Sequence, residues 1–470
     1  MMCARGLTGL PLSRRHLLQA AVGAIPAVAG RSHAATFVPS YSAGTRDEAG
    51  QFAGGTEMRL LVAHGGKLYA GNGYWQDRPG WEGWQGPQIL VLAAPDLGWR
   101  VDHAFDERRL NGRRRDLAVG ALASVSFTTD GAGRALPQPV SILLASTWDL
   151  TGASRVFTRD DANETWRATT LAQDPTAADF LPQIRSFGTH RDRVTGIDLV
   201  FAGQMPHGIF AGHYDTKVPG QIRWEPVPEL DASSASTEFS GLSGRLRVSS
   251  FAETNGRLYA AVGQQIFERV DGARPRWHPV YTNPRPGHSE TGLRGLTAIE
   301  GGALLAAVEG TAARVVRIDL RSGGDTTELE LATFLTRQWG MRVNYIIAAY
   351  NDMTTTALPG RGSATLLGLE AFVPRSASVP AAHSLVDVGY GQVESGAWYL
   401  VRWPDRRYSL HQIAARFPHP LVSTRSICRS PFPGDSDAIY FAGYDANKAP
   451  AHNTAWIVRT TLSAALGPVR

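Results

Sequence analysis

Two or three large apolar residues followed by small ones, usually with a glycine, recur seven times along the chain. The first copy is Leu68-Tyr69-Ala70-Gly71, and the others fall at 142–145, 199–203, 258–261, 304–307, 366–368 and 439–443. Successive copies start 74, 57, 59, 46, 62 and 73 residues apart. That spacing is too long for one hairpin and suits a four-stranded blade with some long loops. Large apolar side chains would fill the space between neighbouring sheets, and the small ones suit crowded packing near a propeller axis. Each copy follows a segment that predicts the innermost strand of its blade: 58–64, 117–127, 184–188, 247–252, 293–299, 343–349 and 424–429. Outer strands follow, several opening on a tryptophan: Trp99, Trp166, Trp224 and Trp277. The segment after Thr36 is expected to close the ring beside 455–460, which removes the exposed edges of an open sheet. The expected fold is all-β, a seven-bladed β-propeller occupying 35–470 as one domain. A six-bladed ring and a two-domain β protein are the alternatives.

Composition supports short strands joined by turns, since 50 glycines and 28 prolines accompany a charged fraction of only 19%. The formal charge of +5 is misleading. Residues 1–34 hold Arg5, Arg14, Arg15 and Arg31 and no acid, so the remainder carries +1. A nearly neutral body argues against nucleic acid as a partner. Outside 1–34 the single cysteine is Cys428, which excludes an internal disulfide and a multi-cysteine metal site. It reads as a small buried residue of a strand.

Ser13-Arg14-Arg15-His16-Leu17-Leu18 resembles the twin-arginine export motif. An Ala-rich apolar stretch follows to Ala29, then Ser32-His33-Ala34, whose small residues suit cleavage near Ala34. The resemblance implies a signal peptide at 1–34, passage through the twin-arginine translocase, and a periplasmic or secreted protein without a membrane anchor after cleavage. The apolar stretch is too short to span a bilayer. A second resemblance concerns the fold. Arg159-Asp160-Asp161-Ala162-Asn163-Glu164-Thr165-Trp166 resembles an Asp-box, the turn repeated in sialidase-like propellers. By that likeness Asp161 caps the turn, and Asn163 takes the position usual for glycine, where asparagine tolerates a left-handed backbone. The box would lie between third and fourth strands, away from the active face. Val270-Asp271-Gly272 before Trp277 is a frayed second copy.

Candidate chemistry comes from placing the chain on this frame. The predicted innermost strands begin with arginine at Arg59, Arg185, Arg247, Arg294 and Arg425, and Arg342 precedes another. These side chains would converge on the mouth of a central channel, where guanidinium forks bind carboxylate or sulfate. The alternative is that each pairs with an acid and ties blades together. Glu57-Met58-Arg59-Leu60 faintly resembles the first-strand motif of sialidase-like enzymes, which use such arginines, although leucine stands where proline is expected. The loop 71–88 carries Tyr74, Trp75, Asp77, Trp81 and Trp84, rings that could stack on sugars or form a private core. The loop 107–116 holds five arginines among acids and reads as solvated surface. Acid–base candidates on the same face are His207, Glu309, His383, Tyr390, Asp445 and His452, with Asp77 beside them. His190-Arg191-Asp192 and His213-Tyr214-Asp215 fall on the opposite face and lack a third spaced metal ligand.

These features point to an exported carbohydrate-active propeller acting on an acidic glycan. A polysaccharide lyase would neutralise a uronate with arginine and use a His or Tyr base. A glycosidase would need two carboxyl groups flanking the bond, drawn from Glu309, Asp77 and Asp445. The lyase is the preferred chemistry. A non-catalytic propeller binding glycan or envelope protein, and a periplasmic redox propeller, remain as other classes. No cofactor or metal is expected.

Overall fold

The computed structural model describes residues 37–467, except 75–85, 109–111, 113, 175–182, 206–207, 232–246, 286–291, 351–352, 375–391, 394–395, 420 and 445–452. Only the backbone is described at 392–393. The chain divides into Met1–Ala34 and Ala35–Arg470, and every described residue belongs to the second unit.

The fold is an all-β propeller. Its main strand pairings form seven antiparallel groups of four among the described residues, numbered here in chain order. Group 1 runs Glu57–His64, Lys67–Gly73, Gln88–Leu92, Arg100–Ala104. Group 2 has the longest hairpin, Asp116–Thr129 with Ala135–Asp149, followed by Ala153–Asp160 and Thr165–Gln173. Groups 3, 4 and 5 open on Gln183–Arg191, Val248–Thr254 and Gly292–Ile299. In group 6 the first strand is split into Tyr345–Ala348 and Thr354–Leu358, both paired with Gly362–Val373. Group 7 opens on Ser423–Arg429, and its outermost strand comes from the other end of the described chain. Val38–Ser42 pairs antiparallel with Trp456–Thr461. Each group touches the next, and the seventh returns to the first through Tyr444 opposite Glu57. The closing strand expected after Thr36 is therefore present, with Phe37 edge-on to Tyr399 and Phe441.

Each of the seven recurring apolar segments is the second strand of a group. Seven apolar clusters lie between successive groups, for example Phe201, Ile209, Val248 and Leu258 between groups 3 and 4. A large side chain buried in this way contributes roughly 1.5–3 kcal/mol. The glycines in the pattern have a steric reason. A methyl group on Gly71 would lie 2.8 Å from Val119, and one on Gly203 would lie 2.6 Å from Val248. The second strand thus lies against the next group too closely for a side chain.

A distinct set of arginines ties the groups together. On the third strand of group 4, Arg269 donates to both oxygens of Glu229, at the outer edge of group 3, at 2.9 and 3.0 Å. Trp277 Nε1 donates to the same carboxylate. Arg159 repeats the arrangement in group 2 with Asp102 of group 1 and Trp166. Arg402 repeats it in group 6 with Glu328 of group 5, where Tyr408 replaces tryptophan. Bidentate pairs of this kind fix orientation as well as adding attraction.

Three sequence expectations need correction here. In the Asp-box-like turn, the capping residue is Asp160, whose Oδ1 accepts from the backbone N–H groups of Ala162 and Asn163. Asp161 instead accepts from His64 at 2.8 Å and from Arg159, a tie between groups 1 and 2. The left-handed residue is Glu164 (φ 50°) rather than Asn163. Arg342 is exposed and lies before the first strand of group 6 rather than on the axis. The turn does join third and fourth strands, as its resemblance implied. Cys428 is half-buried in the first strand of group 7, and Arg115 of the 107–116 loop pairs with Asp149 and Glu107.

Candidate functional site: an axial arginine cluster

A backbone irregularity brings the arginines to the axis. In group 1, Met58 faces Asn72 and Leu60 faces Gly71, leaving Arg59 as the extra residue of a β-bulge. Arg185 is the extra residue in group 3 and Arg425 in group 7. In group 5, Arg294 and Gly295 together oppose one residue. Group 4 is bulged at Ser249, and Arg247 stands just before its first strand. A bulge turns one side chain away from the alternation of the strand, and in groups 1, 3, 5 and 7 the bulge contains the arginine of the cluster. All five arginines are buried, between 1% and 6% exposed.

Group 6 contributes a tyrosine. Its first strand breaks after Ala348, and Ala349 takes a left-handed backbone (φ 51°), a conformation that costs a residue with a side chain about 1–2 kcal/mol. Gly295 of group 5 permits this turn, since a methyl group there would come within 2.6 Å of Ala349 Cβ. Tyr350 consequently lies among the guanidinium groups. Arg59 Nη2 and Arg185 Nη2 donate to its hydroxyl oxygen at 3.2 and 3.1 Å. Arg425 and Arg294 stand over its ring, 4.0 and 4.9 Å from the centroid, within cation–π range. Burial pushes the Tyr350 hydroxyl up. Arg59, Arg185 and Arg425 outweigh that and the opposing charge of Glu57, lowering the pKa from 10 to about 7.

Three glutamates share the cluster. Arg425 lies 2.9 Å from Glu57 and 2.8 Å from Glu370, and Arg59 lies 3.5 Å from Glu57. Glu370 also accepts from Tyr444 at 2.8 Å and Ser423 at 3.0 Å. Glu309 pairs with Arg294 and accepts from Tyr345 at 2.6 Å. Burial works against the Arg425 cation, but Glu370, Tyr444 and Glu57 hold its pKa above the usual range. Arg294 is likewise raised, Glu309 overcoming burial. Arg185 goes the other way, down to about 10, because burial and the neighbouring Arg294 and Arg59 outweigh Tyr350. Arg247 is lowered further by burial, Arg294 and Arg185. Guanidinium groups stay protonated nonetheless, so the consequence is an uncompensated buried charge.

Of the residues singled out in the sequence, Arg59, Arg185, Arg247, Arg294, Arg425 and Glu309 therefore meet in one place. His207, His383, Tyr390, Asp445, His452, Asp77, Trp75, Trp81 and Trp84 lie outside the described residues. Tyr74 is buried against Leu117 and Trp148. His190 and Asp192 are engaged in ties with Asp271 and Arg269. Sequence reasoning missed Tyr350, Glu57 and Glu370. Glu370 carried a usable signal, a single acid within the otherwise apolar Leu366-Leu367-Gly368-Leu369-Glu370-Ala371-Phe372. Tyr350 carried none, because its position depends on a break in the strand.

Fold and site together define a β-propeller with a buried arginine cluster where its first strands meet. No family model matches the chain, and no curated protein matches it. Among solved structures, YCF48 bound to D1 peptide is similar with a TM-score of 0.41 and 10% identity, covering 87% of this chain and 94% of that one. A chain in the crystal structure of the mitotic checkpoint complex is similar with a TM-score of 0.41 and 12% identity, covering 93% and 98%.

Proposed function

We propose that this chain is an exported seven-bladed β-propeller that acts on an acidic glycan, drawing a carboxylate or sulfate group of the sugar into the axial cluster. The observation that carries this reading is the meeting of five buried arginines from five groups around Tyr350. Among the described residues five guanidinium groups face three carboxylates, an excess of positive charge even with Tyr350 ionised.

Lyase chemistry fits the described residues better than hydrolysis. A glycosidase needs one carboxyl group free to donate a proton and another to attack or activate water. Glu57, Glu309 and Glu370 are each engaged with an arginine. A lyase instead needs cations to neutralise the uronate and one base. Tyr350, ionising near neutral pH, can take the proton from the carbon beside the carboxylate. The electron pair then forms the carbon–carbon double bond as the glycosidic C–O bond breaks, and the protonated Tyr350 gives its proton to the leaving oxygen. A base whose pKa lies near the working pH is the efficient one.

The test is incubation of the purified protein with uronic-acid polysaccharides. A rise in ultraviolet absorbance from the unsaturated product supports the lyase. Release of reducing ends without that rise means hydrolysis, and binding without either means a lectin-like protein. Tyr350→Phe should abolish turnover while leaving binding of the polymer intact. Turnover unchanged in that variant would remove Tyr350 from the chemistry.

A further inference from the structure

Sorting the axial arginines by their partners separates two roles. Arg425 is committed to Glu57 and Glu370, and Arg294 to Glu309. Arg59 has Glu57 at 3.5 Å and the Tyr350 hydroxyl. Arg185 reaches no carboxylate among the described residues, only Gln183 at 3.4 Å and the Tyr350 hydroxyl at 3.1 Å. Arg247 reaches Glu309 at 4.0 Å, a carboxylate already held by Arg294 and Tyr345. Buried nitrogens without a hydrogen-bond partner occur on all five arginines, but Arg59, Arg294 and Arg425 each have a carboxylate within 3.5 Å, and among the described residues Arg185 and Arg247 have none so close. The excess charge of the cluster is thus concentrated on two neighbouring groups, 3 and 4. A buried donor left unmade is costly, and more so when it is charged. That cost persists in a stable fold if a ligand removes it.

We propose that the sector between groups 3 and 4 is a dedicated oxyanion subsite, in which Arg185 and Arg247 grip the carboxylate or sulfate of a sugar while Arg294 and Arg425 act as braces. This rests on the acidic-glycan reading and assigns different work to arginines that the sequence presents as equivalent. The lowered pKa values of Arg185 and Arg247 and the raised ones of Arg294 and Arg425 follow the same division.

The division gives an unusual expectation. Removing Arg247 deletes a buried cation whose carboxylate, 4.0 Å away, is already held by Arg294, so ligand-free Arg247→Ala should melt no lower than the parent. Removing Arg425 orphans two buried carboxylates, so Arg425→Ala should melt well below it. The experiment is calorimetric titration of the full chain with glucuronate, glucose 6-sulfate and glucose at constant ionic strength, with melting curves of each variant. One saturable site for either anionic sugar, silent to glucose, is expected in the parent. Arg185→Ala and Arg247→Ala should each weaken it by about 10–100-fold. Arg247→Lys, which keeps the charge but loses the fork, should bind at an intermediate level with an unchanged melting temperature. Glucuronate alone binding would identify the oxyanion as a carboxylate, and glucose 6-sulfate alone as a sulfate. Parent-like affinity in both alanine variants, or a fall in melting temperature of Arg247→Ala as large as that of Arg425→Ala, would overturn the subsite while leaving an acidic ligand elsewhere in the cluster. Failure of the parent to bind either anionic sugar would overturn the acidic-glycan reading itself.

Discussion

At the scale of single residues, Tyr350 is the group whose behaviour is most sharply set by its surroundings. Its hydroxyl oxygen accepts from two arginines, and both bonds favour the phenolate. The folded value of about 7 lies below the ordinary 10. The folded state therefore holds fewer protons than the unfolded state between those limits. The stabilisation is complete above about 10 and is lost as pH falls through about 7. Melting curves should show the gap between parent and Tyr350→Phe widening from pH 7 to pH 10, and a constant gap would contradict the ionisation. The phenolate also competes with an anionic ligand for Arg59, Arg185 and Arg425. Affinity for glucuronate should accordingly fall as pH rises through about 7 in the parent and stay level in Tyr350→Phe. Turnover should rise over the same interval, since only the phenolate accepts a proton. A titration series against pH separates the two effects.

At the scale of strands, two kinds of arginine do different work, and their positions distinguish them. Those on or just before bulged first strands meet around Tyr350. Those on third strands, Arg159, Arg269 and Arg402, hold an acid of the preceding group. The ties recur at every second junction, 1 to 2, 3 to 4 and 5 to 6. Arg269 also contacts Asp192 and Asp271, with both carboxylates almost wholly buried. Arg269→Ala would take the arginine from three acids, Glu229, Asp192 and Asp271, and breaking a buried ion pair of this kind costs about 3–5 kcal/mol. Chemical denaturation should register that loss, while glucuronate affinity in the folded fraction stays at the parent level. An unchanged stability would show that water replaces the arginine. The recurrent apolar–small–glycine pattern was legible in the sequence because each strand meets the same two neighbours. The bulges were not, since an extra residue shows only when partner strands are in register.

At the scale of the whole molecule, closure joins distant parts of the chain. Val38–Ser42 completes the sheet of Ser423–Arg429, Ala438–Tyr444 and Trp456–Thr461, so the described propeller is complete only once both ends have been made. The proposed export rests on the resemblance of the segment around Arg14-Arg15 to a twin-arginine motif. Replacing that pair by two lysines should leave uncleaved precursor inside the cell, as judged by fractionation and precursor size. Normal export of that variant would remove the twin-arginine assignment and leave the fold untouched.

The sequence by itself determined the strands, their grouping and the candidate arginines, because alternation, turn residues and repeated crowding act over a few neighbours. It also marked the arginines at the start of five predicted first strands. Only the tertiary structure decided which of them are neutralised, because Glu57 and Glu370 reach Arg425 from other groups and the strand register of group 5 sets Glu309 against Arg294. It also decided that Tyr350 stands at their centre, through a left-handed turn at Ala349 that the absent side chain of Gly295 makes room for.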